Sequence, residues 1–300
     1  MAGGRPRKLD GRVAVVTGAS SGVGRAIAQL YAAEGARVAL IARDLIGLED
    51  AASEIRSTGG QAMVLPLDVS QSTAVAAAAD RVVSAWGKID VWVNDATVSI
   101  FAPADETTPD EYRRVMEVNY LGYVHGTLAA LRHMRLRNAG VIVQIGSEIA
   151  GRSVPRQSAN SASRAAIRGF TEALHGELAR ARSGIQLTHV QLPVGGAPGE
   201  AERGQPASLH RRRLPAIAEP QAIAAVALRA ALRPRPELGI RWRAVRAVVQ
   251  RGRRSKRVAA VVSRMRSLLG HRRDIGVWLS GLAVGAAVYL WARRLWATPR

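Results

Sequence analysis

The chain has 300 residues, of which 48% are hydrophobic and none is cysteine. This composition suits a packed globular core, and it excludes a disordered chain as well as a fold that depends on disulfides or thiol chemistry. The formal net charge of +20 is unevenly distributed: residues 1–202 carry 21 Lys and Arg against 20 Asp and Glu, whereas residues 203–300 carry 22 against 3. The charge pattern therefore predicts a nearly neutral domain followed by a strongly basic tail.

Short apolar runs rich in β-branched residues recur through the first 192 residues, and turn residues separate them from their neighbours. Such runs are typical of strands that are buried on both faces of a parallel sheet. The predicted strands are Val13–Thr17, Arg37–Ala42, Ala62–Pro66, Val91–Asn94, Val141–Ile145 and Gln186–Leu192.

Longer segments with helical spacing of their apolar residues lie between these strands, and one begins at a proline that suits a first helical turn. The predicted helices are Gly22–Glu34, Gly47–Ser57, Ser70–Trp86, Pro109–Arg135 and Ser158–Arg182. Strands that alternate with helices of this length predict an α/β fold with a doubly wound parallel sheet, the Rossmann fold. The ligand of such a sheet is expected at the carboxyl ends of the strands.

The pattern loosens after Leu192, where residues 193–219 are rich in Gly, Pro and Arg and are predicted to form a long loop. A helix over Pro220–Leu232 and a last strand over Leu238–Trp242 are expected to complete the sheet. We therefore expect the globular domain to cover residues 1–244.

The tail has two parts. In residues 245–274, apolar residues recur at helical spacing among many arginines, which predicts a basic amphipathic helix. Residues 275–292 contain no charge, and 18 helical residues extend about 27 Å, close to the ~30 Å core of a bilayer. We expect a single transmembrane helix there; the alternative is an apolar helix that packs on the domain or in a dimer interface.

Arginines dominate the segment before this apolar helix, so the positive-inside rule predicts a membrane protein with its main domain in the cytoplasm. The basic segment would then contact anionic membrane lipids. The clustered arginines of the tail would also suit nucleic-acid binding, since they can neutralise phosphates. It is the less economical interpretation, because the tail has no recognisable reader motif and continues into an apolar segment.

A glycine-rich turn joins the first predicted strand to the first predicted helix. Glycines at this spacing let the backbone turn closely around a pyrophosphate and direct the amino end of a helix at its charge. A tight turn that binds no ligand is the alternative. The residues expected to contact a bound nucleotide here are Thr17, Gly18, Ser20, Ser21, Gly22, Val23 and Gly24.

Three motifs occur in the order VAVVTGASSGVG (residues 13–24), IVQIGS (142–147) and SANSASRAAIRGF (158–170). Together they resemble the short-chain dehydrogenase/reductase family. The resemblance implies binding of a nicotinamide nucleotide, hydride transfer between that nucleotide and a small carbonyl or alcohol substrate, a substrate lid over residues 193–219, and homo-oligomers formed through the two long helices. No metal site is expected.

The resemblance also implies roles for individual residues. Ser147 would polarise the substrate carbonyl, and Asn119 would have a structural and catalytic role. The other nucleotide contacts would come from Asp68, Val69, Asn94, Ala96 and Pro193.

The second strand ends at Ala42 and Arg43, without an acid directly after it to accept hydrogen bonds from a ribose 2′-hydroxyl. An arginine at this place would pair with a 2′-phosphate, which favours NADP over NAD. In a chain so rich in arginine, a solvated surface role for Arg43 is the alternative.

The chain departs from the family at the positions of the catalytic tyrosine and lysine and in the motif after the fourth strand. Asn160 and Arg164 stand where the family has Tyr-x-x-x-Lys, and Asp95 and Thr97 depart from its usual Asn-Asn-Ala-Gly. Arg164 can still hold ribose hydroxyls. The Asn160 amide can hydrogen-bond to an oxyanion but cannot act as an acid near neutral pH. A substitute proton donor would have to be Tyr120, Tyr123, His175, His189 or water.

Two hypotheses follow. The first is a membrane-anchored oxidoreductase of short-chain type that uses NADP and has weakened chemistry. The second is a nucleotide-binding pseudoenzyme with a scaffolding or sensing role, which the combined departures at residues 95, 97, 160 and 164 favour.

Overall fold

A computed structural model describes residues 7–147, 155–192 and 220–239 of the chain. These residues build a seven-stranded sheet in which all neighbouring strands are parallel. The strands are β1 (Val13–Thr17), β2 (Arg37–Ala42), β3 (Gln61–Pro66), β4 (Val91–Asn94), β5 (Gly140–Ser147), β6 (Ile185–Leu192) and β7 (Glu237–Gly239).

The strand order is β3-β2-β1-β4-β5-β6-β7, so the chain builds outwards in one direction from β1 and then in the other from β4. All five residues of β1 are buried, which explains its continuous apolar sequence, since neither face meets water. The crossover from β3 to β4 makes the carboxyl ends of β1 and β4 a topological switch point. A ligand is expected in the crevice there.

Helices cover both faces of the sheet. Apolar residues of α1, α2 and α7 pack on one face, and those of α3, α5 and α6 pack on the other. This arrangement confirms the predicted doubly wound sheet. The helices are α1 (Gly22–Ala33), α2 (Leu45–Ser57), α3 (Ser72–Trp86), α4 (Pro109–Val115), α5 (Gly122–Met134), α6 (Ser158–Arg180) and α7 (Pro220–Leu232).

The helix predicted over Pro109–Arg135 is not uniform. It begins with a capping box between Thr108 and Glu111, but residues 116–121 between α4 and α5 form a π-helical turn, and a short 3-10 turn follows α5. Apolar spacing could not reveal the widened turn, because a single wide turn shifts the helical phase too little to change the pattern of apolar residues. Asn119 lies inside this turn, and such turns often occur at functional sites.

Several predictions fall on residues outside the described ranges: the loop over 193–219 with Pro193, the amphipathic segment over 245–274, and the apolar segment over 275–292. The last strand is described to Gly239 only. In the three ranges that are described, no helix has both the length and the apolar character needed to cross a membrane.

Candidate functional site

The glycine turn between β1 and α1 is built for close backbone contact. Gly18 and Gly22 have φ values of +73° and +56°, a region that favours glycine. A Cβ on Gly18 would lie 3.0 Å from the backbone of Ala96, and a Cβ on Gly24 would lie 2.3 Å from the carbonyl oxygen of Gly18. Side chains at these two positions would therefore separate the turn from the loop after β4 and from α1.

The amino end of α1 is open to an anion. Ser21 is the N-cap residue, but its side chain makes no capping hydrogen bond, and both Ser21 and Gly22 are exposed. The first backbone N–H groups of a helix have no partner within the helix, and they carry the positive end of its dipole. The glycine turn and this helix end thus fit the pyrophosphate of a dinucleotide.

Thr17 connects the glycine turn to the loop that follows β4. Its hydroxyl oxygen accepts hydrogen bonds from the backbone N–H groups of Asp95 (3.0 Å) and Ala96 (3.1 Å) and lies 3.4 Å from the carbonyl oxygen of Val93, to which it donates. Thr17 is buried. The structure gives Thr17 a structural role, because its hydroxyl joins the end of β1 to the loop after β4. Its contact with a nucleotide stays a prediction.

The carboxyl end of β2 presents Arg43 at the surface. Within the described ranges no carboxylate pairs with its guanidinium. The next residue, Asp44, caps α2 by accepting a hydrogen bond from the Gly47 N–H at 3.1 Å. The acid that directly follows Arg43 is therefore already engaged. Ser20 lies beside the start of α2, where a Cβ on Gly47 would come within 3.0 Å of its side chain.

Asp68 and Val69 follow β3, as expected for residues beside the nucleotide. Partial burial opposes ionisation of Asp68, but hydrogen bonds from the Ser70 N–H and from the side chains of Arg114 and Ser70 outweigh it and lower the pKa of the carboxyl group. Asp68 is therefore ionised at neutral pH. Val69 is buried, and its carbonyl oxygen lies 2.9 Å from Nδ1 of His125.

The Asn94 side chain is fully buried and does not face the crevice. Its Nδ2 donates to Gln144 Oε1 at 2.9 Å, Thr127 Oγ1 at 3.2 Å and the Tyr123 carbonyl oxygen at 3.3 Å, and its Oδ1 accepts from Trp92 Nε1 at 2.8 Å. Sequence reasoning missed these partners. No local signal could have identified them, because Thr127 and Gln144 are distant in sequence.

Asn119 holds the loop after β4. Its Oδ1 accepts from the Val98 N–H at 2.8 Å and from the Thr97 hydroxyl at 3.2 Å, while its Nδ2 donates to the Val98 carbonyl oxygen at 2.9 Å. One carboxamide thus satisfies both backbone groups of Val98. Thr97, which departs from the glycine expected at this place, contributes to the same contact.

Asn160 holds the next part of the same loop. Its Nδ2 donates to Ser99 Oγ at 2.5 Å and to the Ile100 carbonyl oxygen at 3.2 Å, and its Oδ1 accepts from the Ile100 N–H at 3.4 Å. The residue is 1% exposed. Both amide hydrogens are already used inside the protein.

Ser163 links the two asparagines. Its hydroxyl donates to the Asn160 carbonyl oxygen at 2.9 Å and accepts from Asn119 Nδ2 at 3.3 Å. Arg164 follows on α6, one turn after Asn160, and is half-buried. Ser147 is the last residue of β5, where it pairs with Leu192 of β6. Asn119 and Asn160 are therefore joined through Ser163, while Ser147 and Arg164 lie on β5 and α6, two elements that contact each other.

The candidate substitutes for the missing tyrosine lie in different surroundings. The buried Tyr123 hydroxyl donates to the Ile145 carbonyl oxygen at 2.6 Å, and the Tyr120 ring packs edge-on against Phe170. Burial lowers the pKa of His189, so its imidazole is neutral at pH 7. His175 is half-buried on α6.

Tyr112 is a further tyrosine that the sequence motifs do not single out. Its hydroxyl lies 2.6 Å from Ser158 Oγ at the start of α6. Its spacing along α4 gave no sign of this contact, because the partner comes from another helix.

The chain is similar to known proteins in both sequence and structure. Residues 12–202 match the short chain dehydrogenase family. The chain is 32% identical over 240 residues to the uncharacterized oxidoreductase YxnA of Bacillus subtilis, covering 78% of this chain and 66% of that protein. The chain thus spans just under two thirds of the length of that curated relative.

Two solved structures are similar over most of this chain. A metagenomic short-chain oxidoreductase in complex with NADP has a TM-score of 0.66 and 31% identity, over 78% of this chain and 98% of its own. A short chain dehydrogenase/reductase from Burkholderia phymatum in complex with NAD has a TM-score of 0.70 and 26% identity, over 81% and 94%. Because residues 12–202 match the family and the chain has the parallel sheet and the glycine turn, this chain belongs to the short-chain dehydrogenase/reductase family.

Proposed function

We propose that the protein binds NADP(H) at the carboxyl edge of the sheet and acts as a short-chain oxidoreductase of weakened activity on a carbonyl or alcohol substrate. The observation that carries this proposal is the glycine turn beside an open helix end: a Cβ on Gly18 would lie only 3.0 Å from the Ala96 backbone, and its φ of +73° favours glycine. Both features suit a dinucleotide pyrophosphate. The similar structures hold NADP in one case and NAD in the other.

The preference for NADP rests on the end of β2. Arg43 is exposed there, and the neighbouring Asp44 carboxylate is occupied by the Gly47 N–H. A guanidinium recognises a phosphate through charge-assisted hydrogen bonds, whereas a ribose 2′-hydroxyl is usually bound by a free carboxylate. Ser20 is near enough to the start of α2 to contribute to the same phosphate site.

A bound nicotinamide would supply or accept the hydride. In this chain, Ser147 would hydrogen-bond to the substrate oxygen, and Arg164 would hold the ribose hydroxyls. Asn160 would not donate a proton, since its amide has no accessible titration and its hydrogens already bind Ser99 and Ile100. We expect water to supply the proton, at a cost of about two to four orders of magnitude in rate relative to a positioned acid.

A second candidate function is nucleotide binding without efficient turnover, in a scaffolding or sensing role. The engagement of Asn160 in the protein interior favours it, because the residue at the position of the family acid has become part of the framework of the loop after β4.

We also propose that the protein is attached to a membrane with its main domain in the cytoplasm. The uncharged residues 275–292 and the arginine-rich segment before them support this proposal. A homo-oligomer is supported by two exposed apolar side chains in the segment from the π-helical turn to α5: Leu121 is 39% exposed and Leu128 is 56% exposed. Membrane fractionation of the full chain with carbonate washing, beside a variant lacking residues 274–300, tests the attachment.

The nucleotide proposal is tested on the full chain in detergent. NADPH and NADH binding are measured by fluorescence titration for the native chain and for Arg43→Ala, with Arg56→Ala as the control arginine, because Arg56 lies at the far end of α2. We expect NADPH to bind at least tenfold tighter than NADH, and only Arg43→Ala to remove the difference, since one charged hydrogen-bonded contact contributes about 1.5–3 kcal/mol. Absence of binding by both nucleotides contradicts the proposal.

Turnover separates the two candidate functions. NADPH oxidation with a panel of aldehydes and ketones is compared between the native chain and the double variant Asn160→Tyr, Arg164→Lys. Slow reduction by the native chain supports the oxidoreductase. Tight nucleotide binding with turnover in the double variant alone supports the pseudoenzyme.

A further inference from the structure

The loop after β4 is held at alternate residues by three different partners. Asn119 bonds to Val98 and Asn160 bonds to Ile100 through their side chains, as described above. The third contact continues the series, because the Ala102 N–H donates to the carbonyl oxygen of Arg156 at 3.0 Å. Arg156 is therefore bonded to the same loop. Its contact, at Ala102, comes after Val98 and Ile100 along the chain.

The backbone of Arg156 is strained. Its φ is +66°, in the left-handed region where a residue other than glycine costs about 1–2 kcal/mol. Such a conformation persists only where the surroundings impose it, and it is frequent at ligand sites. The Ala102 N–H bonds to the carbonyl oxygen of this same residue.

The side chain of Arg156 is also held in place. Its guanidinium carbon lies 5.2 Å from the centroid of the Phe101 ring, within the range of a cation–π contact, and the ring is 41% exposed. Its Nε is buried and has no hydrogen-bond partner among the residues that the structure describes. Within the described ranges no carboxylate pairs with this guanidinium, in contrast to Arg114, which pairs with Asp68.

Arg156 thus pairs with no carboxylate of the part of the chain that the structure describes, and it lies at the carboxyl edge of the sheet. A stacked guanidinium is less hydrated than a lysine amine and presents a planar set of donors that matches a carboxylate or a phosphate. Because the loop and the start of α6 carry Arg156 at the carboxyl edge of the sheet, an acidic group bound there would belong to a molecule that enters the same crevice as the nucleotide.

We propose that Arg156, stacked on Phe101, binds an acidic group of the substrate, so that the protein acts on carbonyl or alcohol compounds that carry a carboxylate or a phosphate. This inference rests on the proposed function, because the bound nucleotide would determine where the reacting carbon of the substrate lies. Recognition of the acidic group itself depends only on Arg156 and the loop that holds it.

The test measures binding by calorimetry, on the full chain in detergent and saturated with NADPH, so that alcohols bind without reacting. The probes are 6-hydroxyhexanoate, 6-hydroxyhexyl phosphate and the uncharged 6-hydroxyhexanamide, with four- and eight-carbon analogues to allow for distance. The variant is Arg156→Asn, because asparagine tolerates positive φ. The matched control is Arg182→Asn, an arginine that also has positive φ (48°) but precedes β6 at the amino edge of the sheet.

We expect the carboxylate or the phosphate to bind at least about tenfold tighter than the amide, a preference that Arg156→Asn removes and Arg182→Asn keeps. Arg156→Lys should keep part of it, as a charge without the planar donors. The stronger of the two acidic arms identifies the acidic group. Equal binding of all three probes at every chain length, or an unchanged preference in Arg156→Asn, overturns the inference.

The same titrations without NADPH separate this inference from the proposed function. If NADPH fails to bind while the acidic probes still bind tighter than the amide and depend on Arg156, the proposed function is wrong and the acidic site stands. If NADPH binds but no acidic preference exists, the site is wrong and the nucleotide proposal stands.

Discussion

Asn119 and Asn160 hold one loop in the same manner: each uses a single carboxamide to bond both the N–H and the carbonyl oxygen of a loop residue, Val98 in one case and Ile100 in the other. Alternate residues of an extended chain present their backbone groups on the same side. The two side chains therefore make the hydrogen bonds that a neighbouring strand would make, and they hold the loop in place as one wall of the crevice.

Replacing Asn160 with leucine should destabilise the protein by about 2–4 kcal/mol. The substitution leaves the Ile100 N–H and carbonyl oxygen without their partner, and each unsatisfied buried group costs about 1–3 kcal/mol. Urea unfolding of the full chain in detergent, followed by tryptophan fluorescence, measures the loss.

Gln157→Leu is the matched control, since this carboxamide at the start of α6 makes no capping hydrogen bond. We expect it to change the free energy of unfolding by less than about 0.5 kcal/mol. Similar small effects of both substitutions would contradict a structural role for Asn160.

Gly18→Ala should lower the affinity for NADPH by about tenfold or more. The new Cβ would lie 3.0 Å from the Ala96 backbone and would be strained at φ +73°, so the turn has to move away from the loop after β4. Fluorescence titration with NADPH measures the effect.

Gly59→Ala controls for the backbone strain alone. Gly59 has φ +80°, but a Cβ there would meet nothing within 4 Å, and the residue precedes β3 at the amino edge of the sheet. It should lose about 1 kcal/mol of stability and keep its affinity for NADPH. Equal losses of affinity in the two variants would show that the contact with Ala96 is unimportant.

Asn94→Leu should destabilise the protein by about 2–4 kcal/mol. Trp92 Nε1 and Gln144 Oε1 each lose a hydrogen-bond partner. The side-chain network is fully buried, so replacing the lost partner with a water molecule would cost free energy. Thermal unfolding monitored by calorimetry measures the change. Thr127→Val, which removes a hydroxyl from the same network, should cost less, because Asn94 and Gln144 still bond to each other.

His189 should make the protein less stable in mild acid. Burial lowers the pKa of its imidazole below 6.5, and nearby Glu237 and Glu172 only partly oppose the effects of burial and of Arg168. The unfolded chain therefore takes up a proton at a higher pH than the folded one. The free energy of unfolding should fall as the pH drops from 7 through the pKa of the folded state.

His189→Gln should flatten this pH dependence, measured as melting temperature between pH 7.5 and 5. The control is His175→Gln, which removes a half-buried imidazole from α6. If the native chain and His189→Gln lose stability in parallel on acidification, another group is responsible.

The layout of the sheet could be predicted from the sequence because its signals are local. An apolar run such as Val13–Thr17 indicates a buried strand, and the glycines after it mark a turn that only glycine can form. Both properties follow from neighbouring residues, so most predicted strands agree with the structure to within a residue or two. The π-helical turn at residues 116–121 could not be predicted, since one wide turn barely changes the spacing of the apolar residues, and the partner of Asn119 in this turn, Val98, is distant in sequence.

The sequence alone determined the family frame, the glycine cradle and the fact that an amide stands where an acid is expected. Only the tertiary structure decided what that amide does. The partners of Asn160 are Ser99 and Ile100, 61 and 60 residues earlier in the chain, and nothing in the local pattern around Asn160 encodes them. Hydrogen bonds of this kind depend on which elements the fold brings together, and here they bind the side chain to the framework of the crevice.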